Sequence, residues 1–140
     1  MTMSRKLVAA VLRRDGGRCV IAGPLCLGEA TVADHLANRG SGGSKALDIP
    51  ENLVAACVLC NGDKEGADGP YRAELVARGL RIAKKGTNAQ TAAEAILRPV
   101  FYADGWHLLV GFERIAMDPV EAIAYMQKVG AIESGYGVAW

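Results

Sequence analysis

Residues 53–64 read Leu53-Val54-Ala55-Ala56-Cys57-Val58-Leu59-Cys60-Asn61-Gly62-Asp63-Lys64, an apolar tetrad that runs straight into a Cys-x-x-Cys pair and then a polar stretch. Four consecutive apolar residues before a turn suit a short buried strand. A two-residue separation lets both thiolates reach one tetrahedral ion from a single tight turn. The residues that follow predict a short helix over 57–65, ended near Gly66 or Gly69. Upstream, Thr31-Val32-Ala33-Asp34-His35-Leu36 predicts a first short strand able to pair with 53–56, with the Gly/Ser-rich segment 37–50 as the loop between them. The central order is therefore strand, loop, strand, helix.

The remaining cysteines, Cys19 and Cys26, lie upstream of this unit, just past a segment, Ser4–Arg14, with helical spacing that Asp15-Gly16-Gly17 stops. Their separation exceeds the usual two to four residues, and Gly23-Pro24 offers a compensating turn. Together the four cysteines are expected to bind Zn2+. Two other readings compete: buried small apolar residues, which free cysteines often are, and a redox Cys-x-x-Cys pair, although no thioredoxin-like βαβ pattern precedes Cys57. Four sulfurs leave no open coordination position, so such a zinc holds the fold and does no catalysis.

Downstream, a helix is expected over Tyr71–Arg78 with Gly79 as its break. Lys84–Asn88 reads as a linker, followed by a helix near Gln90–Leu97. A hairpin is expected from Val100–Ala103 and Trp106–Val110, turned at Asp104-Gly105. Asp118-Pro119-Val120-Glu121 combines an N-cap, proline at the first helical position and an early glutamate, so a last helix should run to Lys128. Phe101, Tyr102, Trp106 and Phe112 are expected to form a satellite core with it, and His107 to be structural. The fold class is α+β, divided into a core (residues 1–85) and an extension (86–140) packed on that core or on a partner.

At 140 residues and 51% hydrophobic content the chain can bury a core, and disorder over its whole length is excluded. The net charge of +1 hides an uneven distribution. Residues 1–85 carry 13 Lys/Arg against 9 Asp/Glu (net +4), and residues 86–140 carry 3 against 6 (net −3), so the basic half is the half with the cysteines. The apolar run Leu7–Leu12 is too short for a signal segment, and nothing approaches the roughly 18 apolar residues of a membrane span. A cytoplasmic protein is expected, in whose reducing surroundings four cysteines favour a metal over disulfides.

Several separate blocks then occur in a familiar order: Arg13-Arg14-Asp15-Gly16-Gly17-Arg18-Cys19, Asp34-His35, Gly42-Gly43, Asn52-Leu53-Val54-Ala55-Ala56-Cys57 and Cys60-Asn61-x-x-Lys64. Over about residues 11–66 the chain resembles the HNH endonucleases. The resemblance implies a ββα-metal fold in which two strands and a helix clamp one divalent ion. It implies His35 as general base, Asp34 and Asn61 as ligands of that ion, and Asn52 as the residue that orients the loop or the histidine. Asparagine at 61, where the eponymous pattern has histidine, resembles the variant found in short phage nucleases. That likeness implies DNA as substrate and phage genome-processing or packaging proteins as partners.

The chemistry is consistent with these residue types. Phosphodiester hydrolysis needs a base for water and a neutraliser of growing negative charge. Histidine suits the first task at neutral pH, and Mg2+ or Mn2+ on oxygen donors suits the second. Lys64, with Arg39 and Lys45 from the loop, is expected to face DNA phosphate. Duller roles exist for each residue: a core or surface pair for Asp34 and His35, a turn for Asn52, a helix cap for Asn61, a solvated position for Lys64. The alternative function is a zinc-stapled DNA- or protein-binding module without turnover.

Overall fold

The structure is a computed structural model that describes residues 3–40 and 45–133; Gly42-Gly43 lies outside the described residues. Among these, the fold is mixed α+β, with five α-helices and two small antiparallel sheets. None of the helices is long and apolar enough to cross a membrane. Helix α1 (Arg5–Arg14) is started by Ser4, whose Oγ accepts the amides of Lys6 and Leu7 at 3.2 and 3.4 Å. It lays Val11 on Ala33 and Leu53, one from each of the paired strands β1 (Val32–His35) and β2 (Leu53–Ala56). The register Val32↔Ala56, Ala33↔Ala55, Asp34↔Val54, His35↔Leu53 makes the expected pairing, and a short 3-10 turn, Pro50–Asn52, leads into β2. Helix α2 (Val58–Glu65) follows directly and ends at Gly66.

Helix α3 (Gly69–Ala77) ends through Gly79, which has φ +75° and lies so close to the Pro99 carbonyl that no side chain would fit. Helix α4 (Asn88–Ile96) opens with a capping box, Thr87 accepting from the Gln90 amide and Gln90 from the Thr87 amide. Strands β3 (Pro99–Tyr102), β4 (Gly105–Val110) and β5 (Glu113–Ala116) form a meander, and α5 (Pro119–Lys128) closes the described chain with Asp118 as its cap. Tyr102 pairs with Gly105, so the hairpin turns at Ala103-Asp104, one residue earlier than expected. Strand β5 was not anticipated. All four of its residues are at least partly exposed, so it lacks the in-out alternation that marks a strand, and it forms because β4 offers an unpaired edge.

The main core ignores the boundary at residue 85. Ala95, Val100, Tyr102 and Leu109 share one cluster with Val20, Ile21, Val54, Ala56, Cys57, Cys60, Leu75 and Leu80, so residues beyond 86 pack on the core. Trp106 and Phe101 do join α5, around Ala122 and Met126, but Phe112 is half exposed and Tyr102 turns inward. His107 is buried and donates Nδ1–H to the Gly105 carbonyl, a structural role.

The reason Tyr102 turns inward is Asp15, a buried carboxylate that binds together three distant parts of the chain. It accepts from the Tyr102 hydroxyl (2.8 Å), the Ala55 amide (2.9 Å) and the Arg14 guanidinium (2.9 and 3.0 Å). Burial, and then the adjacent Asp15 charge, push the Tyr102 phenol up, so it stays a donor. Tyr102→Phe should therefore cost about 1.5–3 kcal/mol, the range for a hydrogen bond to a charged group, seen as a lower urea midpoint at unchanged slope. An unmoved midpoint would mean that Arg14 and Ala55 satisfy Asp15 without it.

Candidate metal centre and candidate active site

The four cysteines come together. All are free, and their sulfurs lie within 4.8 Å of one another. Zinc with Zn–S bonds of about 2.3 Å holds its four sulfurs roughly 3.8 Å apart, so the cluster needs only a small contraction. The wide Cys19–Cys26 spacing is absorbed by a knuckle pinched at its base. Arg18 bridges Glu29, the Cys19 amide donates to the Gly28 carbonyl at 2.8 Å, and the Cys26 amide to the Gly23 carbonyl at 3.1 Å. A Cβ at Gly23 would stand 2.5 Å from the Tyr71 hydroxyl, so a side chain there would displace Tyr71 from beside the cysteines. Arg78 fastens the preceding backbone by donating to the carbonyls of Ile21 and Val20 at 2.8 and 3.0 Å.

The surroundings favour thiolates. Backbone amides of Leu27 and Cys60 point at Cys57 Sγ, each at 3.4 Å, and the Gly28 amide points at Cys26 Sγ at 3.3 Å. Burial opposes ionisation of Cys57, but these amides and the neighbouring thiols outweigh it and bring the group down to about 6. Burial raises Cys19 and Cys60, which an ion would have to deprotonate. Four buried or half-buried soft donors with amide support fit a structural zinc ion.

The second constellation surrounds a cleft of ≈ 720 Å³ between the end of β1, α2 and segment 81–84, lined among others by Asp34, His35 and Asn61. A larger hollow of ≈ 820 Å³ along α1, bordered by Leu7, Ala10 and Phe112, contains none of these residues. Asn61 lies within α2, and the helix-cap role considered for it belongs to Cys57, whose sulfur accepts the Cys60 amide. His35 is tied at Nε2 to Asp48 Oδ1 (2.7 Å), and Arg39 holds the other Asp48 oxygen at 2.9 Å. Asp48 was missed by sequence reasoning. A single aspartate in a Gly/Ser-rich loop carries no spacing signal.

One expected role narrows and another changes. Asn52 is fully buried: it accepts from the Ala37 amide (2.8 Å) and donates to the carbonyls of Ala37 (3.0 Å) and Leu47 (3.1 Å). It thus orients the loop, the first of the two roles expected of it, and touches neither the imidazole nor the cleft. Lys64 was expected to face DNA, but its ammonium is buried, paired with Asp34 Oδ2 and donating to the carbonyls of His35 (2.8 Å) and Leu80 (2.6 Å). Lys64 lies about two turns into α2, on the side that faces β1, where Asp34 captures it. Burial pushes Asp34 up and Lys64 down, each opposed by the other's charge. Arg39 is engaged with Asp48, and Lys45 is exposed on the loop.

The molecule is therefore a small α+β protein built around a four-cysteine cluster able to hold a metal, beside a cleft rich in cationic and polar groups. It is 44% identical over 72 residues to the "Gene 4 protein" of Mycobacterium phage L5, an alignment that covers 51% of this chain and 67% of that protein, and it belongs to the same family. No family model and no solved structure matches it.

Proposed function

We propose that the protein is a metal-dependent DNA endonuclease of the HNH type. The observation that carries this reading is the convergence of Asp34, His35 and Asn61 on one open cleft, with the His35 ring fixed by a carboxylate. Because Nε2 is held by Asp48, Nδ1 is the nitrogen left to accept a proton from water, and a carboxylate in that position also stabilises the imidazolium formed. Asn61 and Asp34 are the oxygen donors that would hold a divalent cation, with Oδ1 of Asp34 the oxygen not taken by Lys64. Mg2+ or Mn2+ bound there would neutralise charge on the scissile phosphate. Asn52 fixes the loop that carries Asp48 and so acts through it. The phage origin of the relative supports a role in genome processing or packaging, with partner proteins of that machinery.

The pairing of Asp34 with Lys64 favours a second reading, because an ammonium already neutralises the carboxylate. In that reading the fold is a zinc-stapled module that binds DNA or protein without cleaving. Supercoiled plasmid with Mg2+ or Mn2+ separates the two. The nuclease reading expects relaxed or linear product, and a loss of at least about a hundredfold in rate for His35→Ala, the usual scale for removing a general base. Plasmid that stays supercoiled with either ion, while still retarded on a gel, leaves the binding module.

A further inference from the structure

The cleft has a second wall that no motif residue occupies. Its lining includes six basic side chains, Arg39, Lys64, Arg72, Arg81, Lys84 and Arg98, against the carboxylates of Asp34 and Glu65. Three of the six have carboxylate partners: Lys64 with Asp34, Arg39 with Asp48, Arg98 with Glu94. The other three do not form an ion pair among the described residues. Arg72 and Lys84 are exposed, and Arg81 is half-buried, donating to the Lys64 carbonyl at 3.2 Å.

Their placement follows from the backbone. The Ile82 amide donates to the Leu36 carbonyl at 2.9 Å, which seats segment 81–84 alongside the end of β1, and Ile82 itself is buried. With Ile82 turned inward, Arg81 and Lys84 border the cleft that His35 lines. Lys84 reaches to the far side, where a Cβ on Gly40 would be 3.0 Å from its Nζ. Arg72 adds a third charge from α3.

We infer that Arg72, Arg81 and Lys84 form a track for the phosphodiester backbone of a nucleic acid, delivering it to the cleft by charge and not by sequence. Uncompensated guanidinium and ammonium groups along an open groove are what phosphate contacts require, and such contacts position a strand without reading its bases. An acidic protein surface would be the other polyanion, but Asp34, His35 and Asn61, residue types suited to phosphodiester chemistry, line the same cleft. The assignment rests on the cleft being a site for nucleic acid, and it does not require that the site be catalytic.

The test is binding, not cleavage, in the His35→Ala protein with no added divalent ion, using labelled duplex DNA and single-stranded DNA of about 30 nucleotides over a salt series. Arg72→Gln/Lys84→Gln removes two exposed charges at little risk to folding, and circular dichroism checks that. It should weaken binding about tenfold near physiological salt and flatten the log-log salt slope by roughly two. Arg5→Gln/Lys6→Gln, which removes two exposed charges outside the cleft, should change affinity less than about twofold. Stronger loss on duplex or on single strand names the form carried. Equal loss in both double variants, no loss in the first, or no DNA binding by the parent while an acidic polypeptide such as polyglutamate binds, overturns the track. Failure of the wild-type protein to cut plasmid would leave this result untouched, so the two readings fail separately.

Discussion

Removing zinc with a strong chelator under reducing conditions is expected to unfold the protein, not merely to loosen one loop. Cys57 and Cys60 are almost fully buried members of the main core, next to Val54, Ala56 and Leu75; Cys19 joins that core with Val20 and Ile21 at the base of the knuckle, while Cys26 is only partly buried. Leu25 and Leu27, the large apolar residues near its tip, are about three-fifths exposed (60% and 61%). Without an ion, four sulfurs within 4.8 Å must be kept protonated or bear mutual repulsion, and the knuckle loses its tie to α2. Structural zinc sites contribute apparent free energies of about 10–16 kcal/mol near neutral pH. A domain of this size has a total stability of roughly 5–15 kcal/mol. A zinc ion bound by the four cysteines would therefore supply a term as large as the net stability itself. Purified protein should contain one zinc per chain, and Cys60→Ser should contain much less and lack a cooperative thermal transition. Affinity should fall as pH drops, because Cys19 and Cys60, both raised by burial, must lose protons to bind. Protein freed of metal that melts at the same temperature as the original would show that the cluster is only four packed thiols.

How far the chain could be read in advance depended on the range over which each signal acts. The Cys-x-x-Cys turn, the apolar tetrad and the Asp118 cap are local patterns, and each appears where expected. That Asp34, His35 and Asn61 line one cleft was legible only because ordered blocks matched a known arrangement. Asp15 was read as part of a helix stop, yet its partners lie 40 and 87 residues away, so nothing near it announces the role. Asp48 is similar, joined to a His35 that lies 13 positions earlier in the sequence. Lys64 was misread because a lysine on a short helix is usually solvated, and only the return of α2 onto β1 shows that its ammonium meets Asp34 indoors.

That buried pair leads to the last expected result: Lys64→Met should destabilise the protein by about 3–5 kcal/mol at neutral pH, the cost of leaving one buried charge unpartnered. The carboxylate of Asp34 is 5% exposed, and the carbonyls of His35 and Leu80 lose their donor in the same change. The pH dependence has a definite sign. Burial already holds Asp34 above the ordinary carboxylate range, and Lys64 is the largest influence pulling it back. Without Lys64 it rises further, so the folded variant binds the Asp34 proton more tightly than the unfolded chain, which adds stability as pH falls and withdraws it as pH rises through the raised value. The gap in stability between variant and wild type should therefore narrow from about pH 8.5 to about pH 6, the zinc site's own dependence being common to both. Replacing both partners, Asp34→Asn with Lys64→Met, should recover most of the loss, since neither charge is then stranded. A single variant within about 0.5 kcal/mol of wild type across that range would mean that water reaches Asp34 freely. The ammonium would then be an ornament of the cleft and not the counter-ion that lets a carboxylate wait there.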